Sequence, residues 1–451
     1  MKKKALLALV LCFVLAFTLV GCAANGTPPA GGGAAGGGAG GAAGNDAAAG
    51  NGDAAWTNGG VVPDREYILV GWAAPMSGPL SVFMAPTQWT VDMMLDHINN
   101  TLGGIEINGR RIPLRVVFAD NESNPTTAMA AAERLVTSDQ VDILLGTWTP
   151  TGTNTASAVG ERFQIPTFVF GAPEESWLDG GPYEWAVGMN FNYEYLVREL
   201  VNIWTKVDTN GRVGLVLDTT VDGTTGRETV SRIAGELGDF EIIDPGAFDP
   251  ATPDFTAIIT RLRDENVHII YADMNTPNAS RFWSQAAEFD FIPRVVTINR
   301  GLHYAADVGR LEPSAVGLTY SALWDKNYPF SSALLGKTAF ELATMWEDDH
   351  GEHYPYSLGY DIALFDILYD VLSRAGTLDR DAIMESFLSI NIDTVFGNLT
   401  MNENRNMRVQ ALGTQWIEGD IWPLQKKIVS ADTFPIVPTQ DPIIIPITTQ
   451  R

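Results

Sequence analysis

Short apolar runs alternate with amphipathic stretches along most of the chain, and this pattern predicts repeated strand–helix units. Apolar side chains recur at helical spacing within residues 86–99. Asn124 and Pro125 have the N-cap and first-turn proline that are typical of a helix start. The strands predicted in this first series are Tyr67–Trp72, Leu114–Ala119, Val141–Leu145 and Thr167–Phe170.

The same alternation resumes after a break near residues 187–193. Helical patterns lie between the next predicted strands, which are Val213–Leu217, Val267–Ala272 and Val295–Ile298. Two series of apolar strands separated by helices indicate two α/β lobes, each with a parallel sheet that helices cover on both faces. In such folds, ligands bind at the carboxyl ends of the strands, on the loops that lead into helices.

The N-terminus has the pattern of a targeting segment. Three lysines at positions 2–4 precede an apolar stretch, residues 5–20, that is too short to span a membrane comfortably. The string LVGC at residues 19–22 resembles the lipobox of bacterial lipoproteins, in which a diacylglycerol is attached to the cysteine before cleavage. We therefore predict a signal peptide at residues 1–21 and lipidation of Cys22. An ordinary signal peptide and an uncleaved anchor are the alternatives.

Residues 22–64 consist almost entirely of glycine, alanine and small polar residues, as in GGGAAGGGAGGAAG. A segment of this composition has too little apolar surface to form a packed core. We expect a flexible tether that separates a folded domain from a lipid anchor.

Composition and charge narrow the possible partners. The chain has 451 residues, a hydrophobic content of 45% and a formal net charge of −25. So acidic a protein is unsuited to binding nucleic acid or anionic lipid surfaces. Both cysteines, Cys12 and Cys22, precede the predicted folded domain, so we expect neither disulfides nor thiol chemistry in it.

Sequence motifs of catalysis are missing. The chain contains no GxxxxGK phosphate loop, no HExxH pair and no GxSxG nucleophile motif. Of the five histidines, His350 and His353 are three residues apart, but a solvated pair is the better interpretation. We expect no enzymatic activity, no metal and no cofactor.

Several segments resemble, in the same order, the leucine/isoleucine/valine-binding proteins, which are type I solute-binding proteins of ABC importers. These segments are Val70–Asn99, Ala119–Pro125, Ile143–Ser157, Gln164–Pro173, Asp254–Ala272 and Leu358–Leu368. The resemblance extends over about residues 66–430. It implies two lobes, joined by three crossovers near residues 188, 323 and 395, that close on a small molecule like a hinge.

The resemblance also implies a domain organisation and a function. Lobe one is expected at residues 65–188 and 324–394, lobe two at 189–323 and 395–430, and a C-terminal tail at 431–451. We expect a monomeric, extracytoplasmic lipoprotein that captures an amino acid, an amide or an organic acid and delivers it to an ABC permease. A sensor or adaptor with the same fold is the alternative.

The loop at residues 147–152 is similar to the family loop that binds the carboxylate of the ligand. Thr149 and Thr151 would supply hydroxyls beside the N-terminus of a helix, and Trp148 adds an aromatic ring. Helix capping by threonine is the alternative interpretation.

Gly171 and Ala172 correspond to family positions whose backbone groups contact the ligand. Pro173 replaces the commoner threonine at the next position. Glu174 either takes over the lost contact or is solvated.

Four further candidates come from other parts of the chain. Phe83 matches an aromatic pocket position on the first loop, with a role in the core as the alternative. Asp222 replaces a tyrosine that usually covers the ligand. Asn275 is a possible partner of a ligand ammonium, as are Asp273 and Glu174. Tyr360 is expected to face the cleft.

Asn299 and Arg300 occupy the region where amino-acid-binding members often have an acidic partner for the ligand ammonium. Loss of that partner disfavours a buried cation, and an arginine favours a second acceptor on the ligand. This departure suggests amides, dicarboxylates or aromatic acids as ligands. The alternative is an alignment shifted by one or two residues, with Arg300 in solvent.

Overall fold

The structure, a computed structural model, describes residues 66–311, 315–440 and 443. The predicted signal peptide, Cys22 and the tether lie outside these residues. Among the residues that are described, no helix combines the length and the apolar character needed to cross a membrane.

Five parallel strands form the first sheet, which belongs to lobe one. They are hydrogen-bonded in the order β4-β1-β5-β6-β7. A separate hairpin, β2–β3, lies between β1 and β4 in sequence. The strands are β1 (Ile68–Ala74), β2 (Ile105–Ile107), β3 (Arg110–Ile112), β4 (Leu114–Asp120), β5 (Ile143–Thr147), β6 (Thr167–Pro173) and β7 (Ala186–Phe191).

Helices cover both faces of this sheet and begin mostly with polar caps. Asn124 accepts hydrogen bonds from the backbone N–H groups of Thr126 and Thr127, as its predicted N-cap role requires. The helices are α1 (Thr87–Asp96, continued by a wider turn at His97–Thr101), α2 (Pro125–Thr137), α3 (Pro150–Phe163) and α4 (Glu174–Leu178).

The second sheet belongs to lobe two and has seven strands. Five of them are parallel, in the order β12-β11-β10-β8-β9, and β15 and β16 extend the sheet in antiparallel fashion beyond β12. The strands are β8 (Arg212–Leu217), β9 (Glu241–Ile243), β10 (Ile269–Met274), β11 (Val295–Arg300), β12 (Thr319–Ala322), β15 (Leu412–Glu418) and β16 (Leu424–Ser430). Between β12 and β15, β13 (Asn391–Thr394) and β14 (Gly397–Thr400) form a hairpin.

Eight further helices complete the described fold. They are α5 (Tyr193–Thr205), α6 (Val221–Leu237), α7 (Thr256–Asp264), α8 (Thr276–Glu288), α9 (Ala305–Val308), α10 (Ala339–His350), α11 (Ser357–Ala375) and α12 (Arg380–Leu388). Helix α11 is almost entirely buried and packs on α1 and the β2–β3 hairpin, which places it in lobe one.

The predicted α/β class with two sheets is confirmed, but one local interpretation is wrong. Residues 187–193, which the sequence pattern presents as a break, include most of strand β7. Gly188 and Asn190 interrupt the apolar run and conceal the strand. The Asn190 side-chain oxygen accepts a hydrogen bond from the Ala172 N–H at 3.1 Å, so this oxygen is satisfied inside the sheet.

The described part of the C-terminal tail packs on the domain. Phe434 contacts Phe330 and Tyr328, with ring centroids 5.8 and 6.0 Å apart. The buried carboxylate of Glu199 accepts hydrogen bonds from the Ser430 hydroxyl, at 2.6 Å, and from the Asp432 N–H, at 3.0 Å. The chain beyond β16 is therefore anchored on α5.

Candidate ligand-binding cleft

The carboxyl edges of the two sheets meet through a group of aromatic side chains. Phe83, Trp148, Tyr356 and Tyr360 come from lobe one, and Tyr304 comes from the loop that follows β11 in lobe two. We call these five residues the aromatic cluster. Their mutual contact shows that loops at the strand ends of the two lobes face each other across a cleft.

The rings of this cluster pack directly on one another. Phe83 and Trp148 are stacked, with centroids 5.2 Å apart and an interplanar angle of 16°. Tyr304 meets Phe83 edge to face at 5.8 Å, and it lies 5.7 Å from Tyr356. Tyr360 meets Trp148 edge to face at 5.0 Å. The cleft surface of lobe one is thus predominantly aromatic.

Trp148 has an unusual backbone conformation. Its φ angle of 74° lies in the left-handed region, which bulky residues rarely adopt. Its indole packs against Gly171, where an added Cβ would come within 2.6 Å of the Trp148 Cε3 atom. Gly171, itself at φ 82°, is therefore required by the close approach of the ring. Strained conformations of this kind concentrate at binding sites.

Several polar atoms in the cleft are buried without partners. Within the described residues, the Nε1 atom of Trp148, the hydroxyl of Tyr360 and both ring nitrogens of His303 have no hydrogen-bond partner. Such atoms are costly unless something binds them. They mark positions where polar groups of a ligand can be accommodated.

Asp361 lies beside the cluster on α11 and is completely buried. Its Oδ2 atom accepts a hydrogen bond from the Thr87 hydroxyl at 2.7 Å, whereas Oδ1 has no partner among the described residues. Burial raises the pKa of Asp361 to about 8, although the Thr87 hydrogen bond acts to lower it. Burial chiefly raises the pKa of Tyr304, and the charge of Asp361 acts in the same direction.

The facing edge of lobe two carries charges instead of rings. Arg300, at the end of β11, directs its guanidinium towards three carboxylates of its own lobe. Nη1 binds Asp222 at 3.1 Å, Nη2 binds Asp218 at 3.2 Å, and Nε binds Asp273. Arg300 also adopts a left-handed φ of 55°. All three nitrogens are engaged, so the interpretation of Arg300 as partner of a second ligand acceptor gains no support from this geometry.

The carboxylates and the guanidinium influence each other strongly. Burial raises the pKa of Asp222, as do the neighbouring Asp273 and Asp218, while Arg300 acts to lower it. Burial acts to lower the pKa of Arg300, but the three carboxylates outweigh it and raise that pKa above its usual value. The cation is therefore held firmly in its charged form.

His303 connects the two edges. Its ring lies 5.0 Å from that of Tyr356 in lobe one. Burial lowers the pKa of His303 to about 4, and the charges of Arg300 and Lys426 act in the same direction, while Asp273 opposes them. The imidazole is thus neutral at physiological pH and available for hydrogen bonding.

Other predicted site residues have structural partners of their own. Thr149 caps α3 by accepting a hydrogen bond from the Gly152 N–H at 3.1 Å, and Thr151 is exposed on the first turn of the same helix. Asn275 is an exposed N-cap of α8 that accepts from the Asn278 N–H. The capping alternative therefore describes the observed contact of Thr149.

Two more candidates have their polar groups engaged. Glu174 is buried and accepts two hydrogen bonds from Arg408, at 2.9 and 2.7 Å. Asn299 donates to Asp273 at 3.3 Å and accepts from the Ser321 hydroxyl at 2.6 Å. Neither side chain is placed in the aromatic cluster. Of the predicted residues, the structure brings together Phe83, Trp148, Gly171 and Tyr360 in one group, and Asp222, Asn299 and Arg300 in another.

Sequence reasoning missed Tyr304, Tyr356 and His303 altogether. Two signals were present: His303 and Tyr304 follow directly after the strand end at Arg300, and Tyr356 immediately precedes α11.

A separate surface groove of about 540 Å³ lies on lobe one. It is lined by Glu184, Trp185, Asp381, Met384, Glu385, Leu388, Ser389 and Arg405. None of these residues belongs to the aromatic cluster or was predicted to contact the ligand. We regard the cleft between the lobes as the candidate site, because strand ends, strain and unpartnered polar atoms converge there.

Two lobes with facing strand ends define the architecture of a solute-binding protein. The chain belongs to the periplasmic binding protein family, whose model matches residues 68–418. Among curated proteins, it is similar to Leu/Ile/Val-binding protein homolog 7 of Brucella suis biovar 1, with 21% identity over 386 residues that cover 80% of this chain and 92% of that protein.

Solved structures show the same fold. The isoleucine complex of LivJ from Streptococcus pneumoniae has a TM-score of 0.68 at 17% identity, covering 81% of this chain and 100% of that one. A solute-binding protein from Rhodopseudomonas palustris BisB5 in complex with 3,4-dihydroxybenzoic acid has a TM-score of 0.64 at 16% identity, covering 82% and 99%. The predicted membership of the leucine/isoleucine/valine-binding family is confirmed.

Proposed function

We propose that the protein is the solute-binding component of an ABC importer and captures a small molecule between its lobes. The observation that carries this proposal is the contact of Phe83 and Tyr356 of lobe one with Tyr304 and His303 of lobe two. Closure of the lobes brings these side chains together, and parting them opens the cleft. Delivery of the ligand to a membrane permease would follow from the family's role in ABC transport.

The contacts support a ligand held mainly by lobe one. The rings of the aromatic cluster offer apolar area, and the unpartnered atoms of Trp148, Tyr360 and His303 offer hydrogen bonds. Amino acids, amides and organic acids remain the candidate ligands from the family resemblance. The related structures named above contain isoleucine and 3,4-dihydroxybenzoic acid.

The anchor and the hinge are further parts of the proposal. Lipid on Cys22 and the tether at residues 22–64 would hold the binding domain outside the cytoplasm, within reach of its permease. The lobe boundaries near residues 188, 323 and 395, and the monomeric state, belong to the same proposal.

Native mass spectrometry of the full chain in a mild detergent tests this function. We expect a co-purified small molecule, or a compound from a panel of amino acids, amides and organic acids that raises the melting temperature. Trp148→Ala should abolish this binding. Trp185→Ala, in the surface groove, is the matched control and should retain it. Absence of any co-purified or stabilising compound would contradict the proposal.

A further inference from the structure

The carboxyl group of Asp361 is difficult to explain by stability alone. It is completely buried on α11, and within the described residues it has a single hydrogen-bond donor, the Thr87 hydroxyl. A buried carboxylate without a cation is costly, so such a group is held in the neutral form or awaits a partner. In its ionised form, Asp361 requires a positive charge that the neighbouring side chains do not supply.

The surroundings of Asp361 are suited to a particular kind of cation. Ser357, Tyr360 and Asp361 lie on one face of the first turns of α11, since they are spaced three and four residues apart. Thr87, which donates to Asp361, follows Phe83 by four residues, and Tyr356 directly precedes α11. A cation that approaches Asp361 from the cleft thus lies among the rings of the aromatic cluster.

Aromatic faces attract cations, and the attraction grows when the cation is desolvated. A cation within about 6 Å of a ring centroid gains about 2 kcal/mol or more in a desolvated site. Phe83, Trp148, Tyr304 and Tyr356 form a connected set, with neighbouring centroids 5.2 to 6.4 Å apart. Several ring faces around one charge are the arrangement that recognises quaternary ammonium groups.

We propose that the cleft selects an organic cation with an alkylated nitrogen, caged by Phe83, Trp148, Tyr304 and Tyr356 and paired with the carboxylate of Asp361. This proposal rests on the solute-binding function proposed above and specifies its ligand class. The rings are in mutual contact in this structure, so entry of the ligand requires Tyr304 and its lobe to move away and the stacked rings of Phe83 and Trp148 to separate. Closure of the lobes then places Tyr304 over the bound cation.

Arg300 does not oppose this selection, because its charge is committed to Asp218, Asp222 and Asp273. Three carboxylates face one guanidinium there, so the edge of lobe two carries an excess of negative charge. That edge favours cations over anions through long-range attraction. An organic acid, by contrast, would meet an acidic edge on lobe two and the Asp361 carboxyl on lobe one.

Proton release gives this proposal a distinctive signature. The raised pKa of Asp361, about 8, means that the empty site carries a proton at neutral pH. A bound cation stabilises the carboxylate and expels that proton, so affinity should rise with pH up to about 8. Tyr304 is the titratable group of lobe two on which Asp361 acts.

Other charged side chains on elements packed against α11 bind backbone oxygens or face the solvent. Arg380 on α12 binds the backbone carbonyl oxygens of Phe163 and Gln164. The acidic side chains on α1, β2, α12 and β13 are solvent-exposed, and they are Asp92, Asp96, Glu106, Asp381, Glu385 and Asp393.

Calorimetry with choline and its neutral analogue 3,3-dimethylbutan-1-ol tests the proposal on the full chain in mild detergent. The analogue has a carbon atom in place of the charged nitrogen and nearly the same shape. We expect choline to bind at least about tenfold more tightly than the analogue. We also expect release of up to one proton on binding at pH 7.

Asp361→Asn keeps an acceptor for Thr87 and removes the charge, so it should weaken choline binding about tenfold or more and abolish proton release. Asp366→Asn is the matched control. Asp366 is a second buried aspartate on α11, but it accepts its hydrogen bonds from Ser332 and Leu334. This control should bind choline as the unaltered protein does.

Three results would overturn the cation proposal: equal binding of choline and its analogue, undiminished binding by Asp361→Asn, or no binding of choline. If isoleucine or 4-hydroxybenzoate binds in a Trp148-dependent way while choline does not, the ligand class is wrong but the solute-binding function stands. If no compound binds and none is co-purified, both proposals fail.

Discussion

Two parts of the cleft, the charge network around Arg300 and the aromatic cluster, differ in whether their buried polar atoms have partners. On lobe two, Arg300 satisfies three carboxylates, and Asn299 and Tyr193 add hydrogen bonds to one of them, Asp273. In and beside the aromatic cluster, by contrast, Trp148 and Tyr360 of lobe one and His303 and Tyr304 of lobe two have polar atoms without a partner within the described residues. The charges of the first arrangement are paired without a ligand, whereas the polar atoms of the second are not.

This difference separates stability from recognition. A closed network of charges costs desolvation but repays it through its own contacts, so removal of one member is severe. Unpartnered atoms and a strained backbone cost free energy that a ligand can recover. We therefore expect substitutions in the charge network around Arg300 to act mainly on folding, and substitutions in the aromatic cluster to act mainly on binding.

Arg300→Ala should have the largest effect on stability. It leaves three carboxylates without their cation, and the side chains of Asp218 and Asp273 are almost fully buried. We expect a loss of about 3–5 kcal/mol in the free energy of unfolding at pH 7, measured by urea denaturation. Burial raises the pKa of Asp222 and Arg300 opposes this, so that pKa should rise further in the variant and the loss should shrink as the pH falls.

Arg263→Ala is a suitable control for this change. Arg263 pairs with Asp264 at 3.0 Å, but both side chains are largely exposed. Its loss should be much smaller than that of Arg300. A similar loss for both variants would contradict the view that the lobe-two network stabilises the fold.

Asp361→Asn should change the pH dependence of stability. The pKa of Asp361 is about 8 in the folded protein, compared with about 3.9 for an ordinary aspartate. Between these values the folded state holds a proton that the unfolded state has lost, so stability falls as the pH rises from 4 to 8. The substitution should remove on the order of 3 kcal/mol of this decline between pH 5 and 8.

The remaining decline has a second source on the same helix. Burial raises the pKa of Asp366 to about 7, against the hydrogen bonds from Ser332 and Leu334. The double substitution of Asp361 and Asp366 by asparagine should therefore flatten the curve further. If the free energy of unfolding of Asp361→Asn depended on pH as steeply as that of the unaltered protein, the carboxyl of Asp361 would not be buried as described.

His303→Gln should change the pH dependence of stability in the opposite direction, at pH values below 6.5. The pKa of His303 is lowered to about 4, from an ordinary value of about 6.5. Its folded form resists protonation, so stability falls as the pH drops from 6.5 towards 4. The substitution should remove about 2 kcal/mol of this fall by pH 5, seen as a shallower slope in thermal denaturation. A slope equal to that of the unaltered protein would contradict the burial of His303 between the lobes.

The fold could be predicted from the sequence because the periodicity of apolar residues indicates which positions are buried. Strands such as β5 and β10 are buried along their whole length and apolar up to their carboxyl ends, which carry the predicted loops. Strand β7 escaped prediction because Asn190 interrupts its apolar run, and the side-chain oxygen of Asn190 accepts a hydrogen bond from the Ala172 N–H inside the sheet. Such compensation depends on neighbours that are distant in sequence.

The site could be predicted only in part, because it too depends on neighbours that are distant in sequence. Phe83 and Trp148 were found because each follows a strand of lobe one at a matching position. Their contact with Tyr304 depends on how two lobes meet, and no local pattern reports that. The engagement of Arg300 by three carboxylates likewise requires Asp218 and Asp273 to converge from separate strands. A lone arginine in a sequence does not reveal its partners.

The strain at Trp148 can be measured by comparing two small residues at the same position. Trp148→Ala and Trp148→Gly both remove the indole and its packing on Phe83 and Gly171. At φ 74°, alanine retains the steric penalty of its Cβ whereas glycine does not. We expect the glycine variant to be more stable by about 1 kcal/mol, by urea denaturation. The same pair of substitutions at Trp72, within β1, should show the usual reverse order, because glycine is unfavourable in a regular strand. If alanine were the more stable substitution at both positions, the backbone of Trp148 would be unstrained. The aromatic cluster would then lack the strain that we contrast with the charge network around Arg300.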